Sequence, residues 1–290
     1  MDRLIQANGQ PHIGVFSQGP ALVNYRDFDL RSPMGRRRGA LARWRRFHQF
    51  QYFGLISETL IGGCALADLR LLGVGFVYLY HPASGRRVAR QFRLPLGLAT
   101  RFSQAPDDGV CELEWRGNRL RMDNRDGVKR LEVRLDDGLR IDARFDEQAF
   151  QPMHICTPTG PTGWVYARKV AGVRCQGHIH SALGDFDLEA LDCFAHHDWS
   201  AGFMRPETYW NWACLSGAVQ GRRVGLNLSC GVNETSYSEN CYWLDGELYP
   251  VGGVRFAFDA DQPLAPWRIH SGDGQVELCF EGSGLHAERV

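Results

Sequence analysis

Between residues 109 and 146 apolar and polar side chains alternate almost without interruption. Cys111, Leu113 and Trp115 are separated by Glu112 and Glu114; Leu131, Val133 and Leu135 by Glu132 and Arg134; Leu139, Ile141, Ala143 and Phe145 by Arg140, Asp142 and Arg144. A period of two puts one set on a buried face and the other in water, which predicts antiparallel strands. The interruptions at RGN, RDG and DDG each offer Gly or Asn for a tight turn, so the stretch reads as a meander. The same grammar returns further on. WNWACLS and VGLNLSC flank a turn, YWLDGELY predicts a two-residue hairpin, WRIHSGDGQVELCF another, and the earlier GVGFVYLYHPASGRRVARQF a hairpin around PASG.

Nearly everything from about residue 50 to residue 281 is therefore expected as strand. The exception is RRRGALARWRRFHQF, where Leu41, Trp44 and Phe47 sit near helical spacing among six arginines and predict a short N-terminal helix. Two similar sets of hairpins, divided near HICTPTGPTGW (154–164), point to an all-β chain of two sheets or barrels in tandem: residues 1–153 with the basic N-terminal segment, and residues 154–290.

Composition narrows the function classes. The 290 residues carry no net charge, so no global field recruits nucleic acid, and no nucleic-acid partner is expected. Lys129 and Lys169 are the only lysines among 33 basic residues, a skew that reads as genomic base composition. The start, MDRLIQANGQPHIGVF, lacks the basic and continuously apolar stretches of a signal peptide, and eighteen apolar residues never run together. A cytoplasmic chain without a membrane span is expected. The run from Arg36 to Arg46 reads first as a solvated helix face; weak contact with a membrane surface, an anionic substrate or nucleic acid is the alternative. Nine cysteines with no CxxC spacing exclude a metal knuckle or a thioredoxin-like pair.

The densest candidate chemistry lies in HHDW at 196–199. Strand parity through DFDLEALDCFAHHDW groups Phe186, Leu188, Phe194, His196 and Asp198 on the more apolar side, which predicts an inward His196–Asp198 pair about 7 Å apart along the strand. His197, with Glu189, and Trp199 are expected outward. The inward pair could transfer protons, as catalytic acid and base, or could be a satisfied structural pair; Asp198 could equally cap a turn at SAGF. His178 and His180 share a strand face, but Arg174 and Gln176 occupy it too, so no metal site is expected. In PETYWNWACLSG, Glu207, Tyr209 and Asn211 alternate with Trp210, Trp212 and Cys214. If this strand pairs with the next, Asn211 is expected beside Asn227 on a polar face, and Trp212 beside Leu226 and Leu228 on an apolar wall. These residues are the candidate ligand contacts. No G-x-S-x-G, Walker A or G-x-G-x-x-G match occurs, so hydrolase-elbow, NTPase and dinucleotide functions lack support, and no cofactor is expected.

Two blocks carry a family resemblance: FQYFGLISETLIGGCALADLRLLGVGFVYLYHPASG in the first half, and DWSAGFMRPETYWNWA with GLNLSCGVNETSYSENCYWLDG in the second. They resemble the uncharacterised bacterial domain-of-unknown-function family twenty-eight zero four, over most of residues 20–282. Asp198, Gly202, Arg205, Thr208, Trp210, Trp212 and Asn227 form its more specific part. That family is similar to a wider lipocalin-like group of carotenoid 1,2-hydratases, tocopherol cyclases and Diels-Alderases. The resemblance implies two lipocalin-like antiparallel β-barrels in tandem and hydrophobic substrates, but transfers no catalytic residue. The first expectation is binding of a lipophilic small molecule, acyl, isoprenoid or polyketide-like, in a barrel cavity or between the barrels. The alternatives are a metal-independent lyase or isomerase of hydratase or cyclase type, and a non-catalytic scaffold.

Overall fold

The computed structural model describes residues 1–205, 207, 209–231 and 237–285. After a short strand β1 (Gly14–Phe16) and the helix α1 (Ala40–Arg46), the chain forms a meander of β2 (His48–Ile56), β3 (Ile61–Asp68), β4 (Leu72–His81) and β5 (Arg86–Pro95). A second meander follows: β6 (Thr100–Arg101), β7 (Gly109–Trp115), β8 (Asn118–Arg125), β9 (Val128–Arg134) and β10 (Arg140–Asp146). Then come β11 (Met153–Pro158), the eighteen-residue β12 (Trp164–Ser181), β13 (Gly184–Asp187) and β14 (Phe194–Gly202). The strands of the alternating stretch and its short turns are where the sequence places them. The β8–β9 turn has φ of 50° at Asp126 and 78° at Gly127, the left-handed pair that suits the twist of a two-residue hairpin.

These strands join one fourteen-stranded sheet, whose main path runs β5-β4-β3-β2-β14-β12-β10-β9-β8-β7-β6. It curls until β4 faces β7 and β8: a Cβ on Gly75 would lie 2.8 Å from Leu113 and 3.0 Å from Leu120. The result is a half-barrel whose concave side is filled by Phe53, Leu55, Leu79, Met122, Leu131 and Phe145, among others. The edge strand β5 carries Arg86, Arg87, Arg90 and Arg93, charges that discourage pairing with another edge.

The pair of tandem barrels is not what forms. The sheet runs across the expected division near residue 154, because β2 pairs with β14 and β10 with β12. The cause is the length of β12. Its first third lies between β11 and β14 and its last third between β10 and β13, so one strand ties both halves into one sheet. The run from Phe186 to Trp199 is likewise two strands, separated by a turn through residues 188–193.

Residues 1–47 close one end of the concave side, where Leu4, Val23, Tyr25, Phe28 and Phe47 meet Trp164, Tyr166 and Trp199. Tyr25 stacks on Phe47 at 3.9 Å between ring centroids. Helix α1 confirms the expected helical segment but has no buried residue. No helix among the described residues is long and apolar enough to cross a membrane.

Two small sheets complete the molecule: β15 (Asn211–Val219), β16 (Arg222–Cys230), β17 (Cys241–Leu244) and β18 (Glu247–Pro250), then β19 (Val254–Ala257), β20 (Trp267–Ser271) and β21 (Glu277–Phe280). The first stacks on the convex face of β12 and β14; the second covers its far side through Leu226, Leu228, Phe256 and Ile269. Where the first sheet meets β12 the backbones nearly touch. A Cβ on Gly225 would lie 2.1 Å from the Ala171 carbonyl, and Ser216 Oγ accepts from Gly172 N at 3.0 Å while donating to Ala195 O at 3.2 Å.

Candidate functional site on the convex face

The convex face of β2, β3, β4, β12 and β14 gathers aromatic and ionic side chains under the rim of the small sheet. His196 sits opposite Gly54 on β2, and the missing side chain there makes room for the ring: a Cβ on Gly54 would fall 2.0 Å from His196 Cε1. Tyr52 lies 5.4 Å and Trp212 5.9 Å from the imidazole, centroid to centroid. Tyr52 and Tyr78 share a hydroxyl–hydroxyl hydrogen bond of 2.9 Å, and burial raises both phenol pKa values. Neither ring nitrogen of the buried His196 has a hydrogen-bond partner among the described residues. Burial lowers its pKa to about 4, so the ring is neutral near pH 7.

His196 and Asp198 share this face, as parity predicts, but Asp198 is bound elsewhere. Its Oδ2 accepts from Lys169 Nζ at 2.5 Å and its Oδ1 from Ser200 Oγ at 2.9 Å. Glu239 Oε1 lies 3.5 Å from the same ammonium and accepts from Ser229 Oγ at 2.8 Å. Burial opposes the Lys169 charge, but Asp198 and Glu239 outweigh it, so its pKa is raised. One cation thus meets two carboxylates.

Asn227 is buried beside them, accepting from Trp212 Nε1 at 2.8 Å and donating to Glu239 O at 3.0 Å. The expected grouping of Trp212 with Leu226 and Leu228 is incorrect. A two-residue turn sets Val219 opposite Arg222, so even positions of β15 share a face with odd positions of β16. Trp212 therefore faces the half-barrel with Asn227 and Ser229, while Asn211 shares the opposite face with Leu228. Of the other candidates, Glu207 is exposed, Tyr209 is 70% exposed and Trp210 54% exposed, all before the strand begins. Thr208 lies outside the described residues, as do 232–236 of the second resemblance block.

His197 and Trp199 do not point to solvent. β14 lies between β2 and β12, so its second face is the concave interior, where both are buried. Sequence reasoning missed the cluster that holds His197. His197 Nδ1 lies 3.0 Å from Arg168 Nη1 and 3.3 Å from Glu147 Oε1, and its Nε2 lies 3.2 Å from the Gln51 amide nitrogen. Arg168 also reaches Glu147 at 2.6 Å and Asp107 at 2.5 Å, and Lys129 Nζ lies 3.8 Å from Glu147. Burial raises the Glu147 pKa, but Arg168, His197 and Lys129 together hold it well below the usual carboxylate range. Two cations against two carboxylates make this cluster self-neutralising, and it ties β9, β12 and β14 to the segments around Asp107 and Glu147. The signal in the sequence was the pair of lysines: both are buried and ion-paired.

His178 and His180 are exposed, near Asp187 and Asp185 respectively. No group of three His, Cys, Asp or Glu side chains among the described residues is arranged to hold a metal ion.

Residues 2–289 match the family model described as "Domain of unknown function (DUF2804)". No curated protein matches the sequence. Among solved structures the chain is similar to CghA, crystallised with Sch210972, with a TM-score of 0.50 and 10% identity over 81% of this chain and 75% of that one. It is also similar to an AttH-type protein from Nitrosomonas europaea (TM-score 0.48, 13% identity, 79% and 78% covered). Kievitone hydratase from Nectria haematococca gives a TM-score of 0.45 and 9% identity, with 77% and 72% covered. The CghA likeness is one of fold.

Proposed function

The chain belongs to the family described as domain of unknown function (DUF2804), and for this member we propose that it binds a lipophilic small molecule against Tyr52, Tyr78 and Trp212. The ligand would be an acyl, isoprenoid or polyketide-like compound, held on the convex face of the half-barrel instead of in a barrel cavity. The observation that carries this is His196, a buried imidazole between aromatic rings whose two nitrogens have no hydrogen-bond partner among the described residues. An unpaired buried polar group costs about 1–3 kcal/mol, and a ligand hydroxyl or carbonyl at the ring removes that cost. Around the imidazole, Lys169 is outweighed by Asp198 and Glu239, so a neutral polar group is favoured over a carboxylate. Saturable quenching of tryptophan fluorescence by farnesol or retinol tests this. Binding should weaken about tenfold in His196→Phe and in Trp212→Leu, the loss of one good hydrogen bond or one ring contact, and stearate should bind less well than retinol. No saturation, or equal affinity in both variants, would refute the site.

The lyase or isomerase alternative draws on the same histidine, with His196 and Asp198 as acid and base. Its pKa decides the order of the two readings. At about 4 the ring is a weak base at neutral pH, below the range in which general-base catalysis is efficient, so it suits hydrogen bonding better than proton abstraction.

A further inference from the structure

The orientation of α1 runs against its sequence. A surface helix normally turns its large apolar residues toward the core. Here Leu41 is 76% exposed and Trp44 36%, while Arg43 faces the protein and donates to the Phe28 carbonyl at 3.2 Å. Helical geometry places Trp44, Leu41 and Arg45 side by side, and these three are exposed, with the half-buried Ala42 and Arg46 next around the helix. Just before the helix, Met34 is 92% exposed.

The charge on this surface is equally one-sided. Residues 36–46 hold six arginines and no acid. Arg37 pairs with Asp29 at 3.0 Å, but Arg36, Arg38, Arg45 and Arg46 have no carboxylate partner among the described residues. Arg38, Ala42, Arg45 and Arg46 border a shallow cleft. Because the whole chain is neutral, the patch is a local field, reaching about 10 Å at ordinary salt.

We propose that this surface docks on the headgroup layer of an anionic lipid membrane, with Leu41 and Trp44 entering the interface and the arginines on the phosphates. Both features are then used: apolar side chains at the interfacial depth that tryptophan favours, and unpaired guanidinium groups facing anionic charge. A second copy docked through the same surface does not fit, since Arg36, Arg38, Arg45 and Arg46 would face the same four arginines. Nucleic acid would engage the arginines but leave the outward Leu41 and Trp44 without a role. Docking here goes beyond ligand binding at Tyr52, Tyr78 and Trp212 and does not depend on it.

Co-sedimentation of the full chain with sucrose-loaded phosphatidylcholine vesicles, with and without phosphatidylglycerol, tests the proposal. The chain should pellet with the anionic vesicles at low salt and stay in solution with phosphatidylcholine alone. Each arginine is worth about fivefold in partitioning, so R38Q/R45Q/R46Q should lose roughly a hundredfold. L41S/W44S should also partition less, and in both variants the urea midpoint and the retinol titration should be unchanged. Because all five positions lie at the surface, a folding defect would show in that midpoint, and single substitutions R45Q and L41S would then carry the comparison. Absence of pelleting with anionic vesicles would overturn the proposal, as would pelleting indifferent to both sets of substitutions. Displacement from vesicles by inorganic phosphate, or equal affinity for a DNA duplex, would assign the arginines to phosphate in general and overturn it too.

Discussion

Lys169 and Asp198 show how a single residue's role depends on what surrounds it. Both are largely buried, and the ammonium is held by two carboxylates at 2.5 and 3.5 Å. Asp198→Asn keeps the shape and the Ser200 contact but removes one of the two charges that hold Lys169. Breaking a buried ion pair on one side costs about 3–5 kcal/mol, and because Glu239 remains, a loss near about 3 kcal/mol is expected by urea unfolding. A change within experimental error would mean that the pair is solvated in solution. The substitution is thus a poor probe of catalysis: Asp198 secures the lysine, and His196 is the group of the two without a partner among the described residues. The two lysines stand apart in the sequence by number alone, and composition could not say that both are interior. Burial belongs to the fold, and nothing in ARKV or GVKR differs from a surface strand.

At the scale of the element, local signals and longer-range ones part company. The hairpins β7–β8, β8–β9, β15–β16, β17–β18 and β20–β21 lie where alternation and turn residues predict them, since both act within a few residues. Which face of a strand is interior is a different matter. The register of β15 on β16 inverts the expected grouping of Trp212 and Asn227, although the turn that sets it, Gln220–Gly221, was present in the sequence. For β14 parity kept His196 and Asp198 together, but the turn at 188–193 contains Leu188 and separates them from Phe186. The pair expected outward, His197 and Trp199, faces the concave interior, while His196 and Asp198 lie on the convex face. Contact between the small sheet and β12 rests on the absence of a side chain at Gly225. Gly225→Ala would drive a methyl into the Ala171 carbonyl, and overpacking of this kind costs about 1–3 kcal/mol, more where backbone must move. Gly217→Ala on the neighbouring strand meets nothing within 4 Å and serves as the control. Gly225→Ala should lower the urea midpoint and expose Trp243, detected as a red shift in tryptophan emission; equal midpoints for the two variants would show that the sheets are not closely docked.

For the whole molecule, buried histidines make acid the vulnerable direction. Burial lowers His154, His196 and His197 each to about 4 from an ordinary 6.5. As pH falls from about 6.5 to about 4, the unfolded chain takes up protons that the folded chain refuses. Stability is therefore complete above that window and lost through it. A shift of this size is worth about 3 kcal/mol per histidine, and three of them rival the net stability of an ordinary domain, about 5–15 kcal/mol. Glu147, whose pKa is lowered, adds a further loss below about 4.5. Urea midpoints should thus fall steeply between about pH 6.5 and pH 4, with about a third less slope in His197→Gln; a flat profile across the window would show that these rings are hydrated. By itself, the sequence determined the all-β class, the hairpins, the basic helix and the family, because alternation, turn chemistry and motif are written within a few residues of one another. Only the tertiary structure decided that the halves share one curled sheet, that both faces of β14 are covered, and that His196 lies between Tyr52 and Trp212 while His197 joins Arg168 and Glu147. Those outcomes rest on partners in different strands, among them Tyr52 of β2 beside His196 of β14 and Arg168 of β12 beside His197, and no local pattern specifies which strand will lie beside the long β12.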